Sequence, residues 1–119
     1  MSLKKTFITI RDNYVINQAN NATLPDFKDT EIKRYQVIFK GRVQHVGFRL
    51  EVCELAKRLE LTGFCENLEN GDVLAQLQGP EDKINFLMHF MESLKRIKIT
   101  EKQVEFLSVV ENEKEFVKK

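Results

Sequence analysis

Gly41-Arg42-Val43-Gln44-His45-Val46-Gly47-Phe48-Arg49 lies between two runs of different period. Before it, Arg34-Tyr35-Gln36-Val37-Ile38-Phe39-Lys40 alternates, with Tyr35, Val37 and Phe39 on one face of a strand. After it, Phe48, Val52, Leu55 and Leu59 recur at helical spacing up to Glu60. The nine residues therefore join a strand to a helix. Their two glycines allow a tight turn and close approach of main-chain N–H groups to a ligand. A loop ending at a helix N-terminus can seat an anion, and Arg49 adds a planar, bidentate cation. The plainer alternative is a connecting loop with one solvated arginine.

Beyond Gly63, expected to stop the first helix, the pattern is regular. Residues 64–68 and 72–78 read as strands, and Asn70-Gly71 between them predicts a hairpin with a type I′ turn. Pro80 suits a first helical position, and Ile84, Leu87, Met88, Met91 and Leu94 make the apolar stripe of a second helix. Phe86 and Phe90 fall off that stripe and could cover a second surface, such as the N-terminal segment. Lys95, Arg96 and Lys98 suit the helix C-terminus, and His89 reads as a partly exposed helix residue. Residues 103–110 form a further strand, and 115–117 a short last one. Strand, helix, hairpin, helix, strand is the split βαβ order. It places two helices on one face of an antiparallel sheet, an α+β sandwich of the ferredoxin-like βαββαβ type.

Residues 1–32 read as an N-terminal extension, with short strands at 6–10 and 14–16 and a connector from Asn17 to Thr30. The remaining residues, 33–119, form the principal domain. The 119 residues suffice for one modest core, being 42% hydrophobic and 31% charged. A net charge of +1 excludes general attraction to nucleic acid or acidic membrane, so electrostatic recognition must be local. No apolar run reaches membrane-span length and no signal-peptide core follows the start, which predicts a cytoplasmic protein. Cys53 and Cys65 fit neither a metal spacing nor a disulfide framework.

The loop resembles the acylphosphatase motif G-R-V-Q-G-V-x-F-R, with His45 at the usual glycine. Gly63-Phe64-Cys65-Glu66-Asn67 is similar to the family's G-W-V-x-N strand, with Phe64 at the tryptophan position. The interval from Arg49 to Asn67 is the family's, and Gln78-Gly79-Pro80-Glu81-Asp82 resembles its entry to the second helix. The resemblance spans residues 33–119. It implies metal-free, cofactor-free hydrolysis of small acyl phosphates, with Arg49 and the N–H groups of Val43, Gln44, His45, Val46, Gly47 and Phe48 holding the phosphoryl group. It also implies that Asn67 orients the attacking water. The chemistry suits so small an inventory. A carboxylate leaves readily, so positioning and charge stabilisation suffice without a strong acid, and an amide can both donate to and accept from water.

The alternative is a catalytically weakened phosphate- or anion-binding or protein-interaction module on the same scaffold, with His45 narrowing the pocket. RNA binding lacks the aromatic platform signature of sheet-binding modules. The expected partners are thus a small acyl phosphate, with no nucleic acid or membrane. The expected assembly is a monomer or a weak homo-oligomer formed through the extension.

Overall fold

The computed structural model describes residues 2–119, leaving Met1 of the expected extension outside the description. Its elements are α1 (Leu3–Asn21), β1 (Ile32–Arg42), α2 (Phe48–Arg58), β2 (Thr62–Asn67), β3 (Val73–Pro80), α3 (Glu81–Ser93), β4 (Lys98–Leu107) and β5 (Phe116–Lys118). The sheet order is β4-β1-β3-β2-β5. Strands β4, β1, β3 and β2 pair antiparallel, as the split βαβ order predicts. β5 then joins the edge parallel to β2, which makes the five-stranded sheet mixed.

The core lies between the sheet and helices α2 and α3. Tyr35, Val37 and Phe39 of β1 and Val73, Ala75 and Leu77 of β3 turn inward. They meet Phe48, Val52 and Leu55 of α2 and Ile84, Leu87 and Met91 of α3. The Phe39 and Phe48 rings are 4.9 Å apart, so the first residue of α2 is anchored in the core. Cys53 and Cys65 are free and buried.

The N-terminal segment is where the sequence expectation fails. Residues 3–21 form a helix, not two short strands and the start of a connector. Ser2 caps it, accepting a hydrogen bond from the Lys5 N–H at 3.2 Å. β-Branched residues favour strands only where a sheet surface receives them; here Val15 and Ala19, one turn apart, bury against the rest of the protein instead. Arg58 of α2 fastens this helix by donating to the carbonyls of Ala19 and Ala22 at 2.7 and 2.8 Å. The connector is confined to residues 22–31. There Thr30 Oγ1 accepts from the Asp82 N–H, and the Glu31 carbonyl accepts from the Glu81 N–H. The connector thus caps α3, where Pro80 is the N-cap rather than the first helical residue. Phe27 meets Phe86 edge-on at 5.5 Å, so the extension covers that off-stripe aromatic.

Three local expectations also shift. α2 ends in a Schellman turn: Leu61 N–H donates to Ala56 O, Glu60 N–H donates to Lys57 O, and Glu60 takes φ 59. Gly63 is therefore a strand residue, not the stop. The β2–β3 hairpin forms, but Gly71 alone has positive φ (97°), so the turn is not type I′. Its closure is the Gly71 N–H donating to Leu68 O at 3.2 Å. The last long strand runs over 98–107 instead of 103–110. Lys98 thus pairs with Arg42 rather than ending a helix. Val110 keeps sheet-like bonding through the Gln78 side-chain amide, which donates to its carbonyl and accepts from its N–H.

Candidate active site

The loop of residues 43–47 runs from the end of β1 to the N-terminus of α2. Two residues in it have left-handed φ: His45 at 63° and Gly47, the N-cap of α2, at 76°. His45 thus takes the conformation that glycine adopts without strain, and histidine is among the more tolerant side chains there. Among the described residues, no N–H from Gln44 to Phe48 donates to another protein group. These free donors curl into the N-terminus of α2, where the helix dipole adds partial positive charge.

The loop is braced from outside. Gln44 Nε2 donates to the carbonyls of Leu68 and Asp72, both at 2.8 Å, tying the loop to the β2–β3 hairpin. Arg96 Nε donates to the Val46 carbonyl at 2.8 Å, and its Nη2 to Glu51 Oε1 at 2.8 Å. Arg96 Nη1 reaches Gln18 of α1 as well. Glu51 is fully buried, and its Oε2 has no hydrogen-bond partner among the described residues. Burial pushes the Glu51 carboxyl pKa up, and Arg96 offsets part of that shift. Gln44 and Val46 therefore face these braces, whereas Val43, His45, Gly47 and Phe48 line a cleft of about 310 Å³.

Arg49 and Asn67 line the same cleft. Arg49 lies one residue into α2, and its Nη1 donates to the Lys119 main-chain oxygen at 2.6 Å. Asn67 ends β2 on the face of Cys65, so Glu66 points to the other side of the sheet. The loop, the arginine and the asparagine singled out from the sequence thus converge.

The far wall comes from residues that the sequence did not single out. Lys4, Ile8, Arg11 and Asp12 of α1 close one side, and Leu50 and Lys118 complete it. Arg11 Nη1 donates to the His45 carbonyl at 3.5 Å, and its Nε and Nη2 reach Asp12 Oδ1. A Cβ on Gly47 would lie 2.8 Å from Val15 Cγ2, so α1 rests directly on the N-cap. No sequence signal at α1 pointed to this contact. Glu51 did carry one: it interrupts the apolar stripe between Phe48, Val52 and Leu55, a position that demands a buried cationic partner.

A larger groove of about 880 Å³ lies between α1 and the end of α3 and includes Tyr14, Phe90 and Arg96. Its guanidinium is committed to Val46, Glu51 and Gln18, so it offers no comparable anion site.

The sequence profile described as Acylphosphatase matches residues 35–118. An acylphosphatase from Clostridium beijerinckii is 38% identical over 87 residues, covering 70% of this chain and 93% of that protein. The structure of an acylphosphatase from Coxiella burnetii superposes with a TM-score of 0.68 at 29% identity, covering 80% of this chain and all of that one. The crystal structure of the Bacillus subtilis acylphosphatase gives 0.66 at 28% identity, covering 73% and 97%. With a profile match over most of its length and this shared fold, the chain belongs to the acylphosphatase family, enzymes that hydrolyse acyl phosphates.

Proposed function

We propose that the 43–49 loop holds the phosphoryl group of a small acyl phosphate while Asn67 positions the attacking water. One observation supports this reading: His45, Gly47 and Phe48, whose N–H groups are unpartnered among the described residues, line a single cleft with Arg49 and Asn67. The Lys119 oxygen engages one N–H of Arg49. A guanidinium has five, so a fork remains to grip two phosphoryl oxygens. Asn67 in the same lining gives a water a partner that anion binding alone does not need, which favours turnover over the reading of a weakened anion-binding module.

The step is an in-line displacement. The water oxygen forms a bond to phosphorus while the bond from phosphorus to the carboxyl oxygen breaks. Its electron pair leaves with the carboxylate, and the proton of the attacking water passes to solvent. Negative charge on the equatorial oxygens meets preorganised N–H donors and a cation that need no reorientation. The Asn67 amide oxygen can accept from the water and fix its approach. In this reading residues 33–119 are the catalytic unit, and residues 1–32 supply one wall of its cleft.

Release of phosphate from acetyl and benzoyl phosphate tests the proposal. Arg49→Ala is expected to lower kcat/KM by about 100-fold or more, the scale of losing one transition-state donor. Asn67→Ala should act mainly on kcat. Phosphate binding without turnover, or an Arg49→Ala variant equal to the parent, would overturn it.

A further inference from the structure

The cleft holds more positive charge than a phosphoryl group requires. Arg49 lines it together with Val43, His45, Gly47 and Phe48 of the loop. Lys4, Arg11 and Lys118 line it too, and Asp12 is the one carboxylate in the lining among the described residues. Lys4 and Lys118 have no ion-pair partner among the described residues, whereas Arg11 shares its charge with Asp12. Ile8 and Leu50 add apolar surface to the same lining. A phosphoryl group against the loop leaves its acyl substituent among these other lining residues. An uncharged acyl group would leave Lys4 and Lys118 unanswered.

We propose that the chain is selective for acyl phosphates whose acyl group carries its own carboxylate, with Lys4 and Arg11 of α1 as specificity-determining residues. This rests on the reading of the 43–49 loop as the phosphoryl site. The apolar pair Ile8 and Leu50 takes the body of the acyl group, and the cations take its carboxylate. The helix that packs against Gly47 therefore selects substrates as well as shaping the wall. Arg11 contributes through its charge rather than through free donors, since Nη1 donates to the His45 carbonyl and Nε and Nη2 to Asp12 Oδ1. Lys4 makes no such contact and is the cleaner probe.

The test compares 3- and 4-carboxybenzoyl phosphate with benzoyl phosphate, using the full chain. The ratio of kcat/KM for each carboxylated compound to that for benzoyl phosphate is measured in the parent, Lys4→Gln, Lys4→Gln/Arg11→Gln and Lys4→Gln/Arg11→Lys. Intrinsic reactivity differences cancel when ratios are compared across variants. For at least one carboxylated isomer, the ratio is expected to fall about twofold to fivefold in Lys4→Gln, the scale of one partly exposed charge pair. It should fall further in the Gln/Gln double variant and recover partly in the Gln/Lys one. The change should lie in KM and shrink with added salt. Ratios equal in the parent and all variants, with phosphate still released, would overturn the selectivity alone. No phosphate release by the parent from any of the three compounds would overturn the underlying phosphoryl-site reading, and this inference with it.

Discussion

Gly47→Ala probes the contact between α1 and the loop, and the structure gives its size. Gly47 has φ 76°, where alanine is strained by about 1 kcal/mol. The new Cβ would also stand 2.8 Å from Val15 Cγ2, well inside contact distance. Val15 is fully buried and cannot swing outward, so the helix or the loop must shift. Overpacking of this kind costs about 1–3 kcal/mol, for a total of about 2–4 kcal/mol. Val15→Ala alone should cost about 1.5–3 kcal/mol through the two lost methyl groups. In the double variant the clash is gone while the φ strain remains. The double variant should therefore be about 1–3 kcal/mol more stable than the two single losses predict. Urea unfolding of the four proteins measures this coupling. Additivity to within about 0.5 kcal/mol would refute direct contact between Val15 and the N-cap.

His45→Gly removes a side chain from left-handed backbone at φ 63°, a gain of about 1 kcal/mol, but glycine loosens the unfolded chain by a similar amount. Stability should change by less than about 0.5 kcal/mol and kcat/KM should hold or rise; a large loss of kcat/KM would show that the imidazole takes part. Glu113→Gln addresses pH dependence. Burial raises the Glu113 carboxyl pKa, but hydrogen bonds from Arg34 and Thr62 together with the Arg34 charge bring the net value below 4.5. The folded state thus takes up a proton less readily than the unfolded one. The stability this contributes is present above pH 4.5 and is lost as pH falls through the lowered value. Glu113→Gln should cost about 1–3 kcal/mol at pH 7, because buried Arg34 keeps its bonds to Gln76 and Gln78 but loses its carboxylate. Urea midpoints at pH 7 and pH 3 should converge for parent and variant; a constant gap would contradict the assignment.

The central fold was legible because its signals are local. The period changes at Gly41–Arg49, and Asn70-Gly71 marks the hairpin whatever turn type it adopts. Arg49 and Asn67 were legible through motif spacing alone. The extension was not, for a physical reason. Phe7, Ile8, Ile10, Tyr14, Val15 and Ile16 spread around the helix instead of forming a stripe, and only Val15 and Ala19 bury fully. The helix is held by tertiary contacts such as Arg58 to Ala19, which no period reveals. Arg96 was read as a helix-terminal cation. Its partners, Val46, Glu51 and Gln18, are all distant in sequence, so local context gave it the commoner role. The first strand pair of β4 was missed for the same reason: Lys98 is a strand residue because Arg42 lies opposite it.

The cleft draws its lining from positions as far apart as Lys4 and Lys118. A peptide of residues 41–49 would carry the motif without the cavity. Each wall closes a long chain loop, and the ordering entropy of those loops must be met before any anion is held. High contact order of this kind slows folding and makes the site a late product of it. Affinity for phosphate should therefore appear with global folding rather than with the first helix. An anion in the cleft then stabilises the packing of α1 and β5 against it as well as the loop it touches.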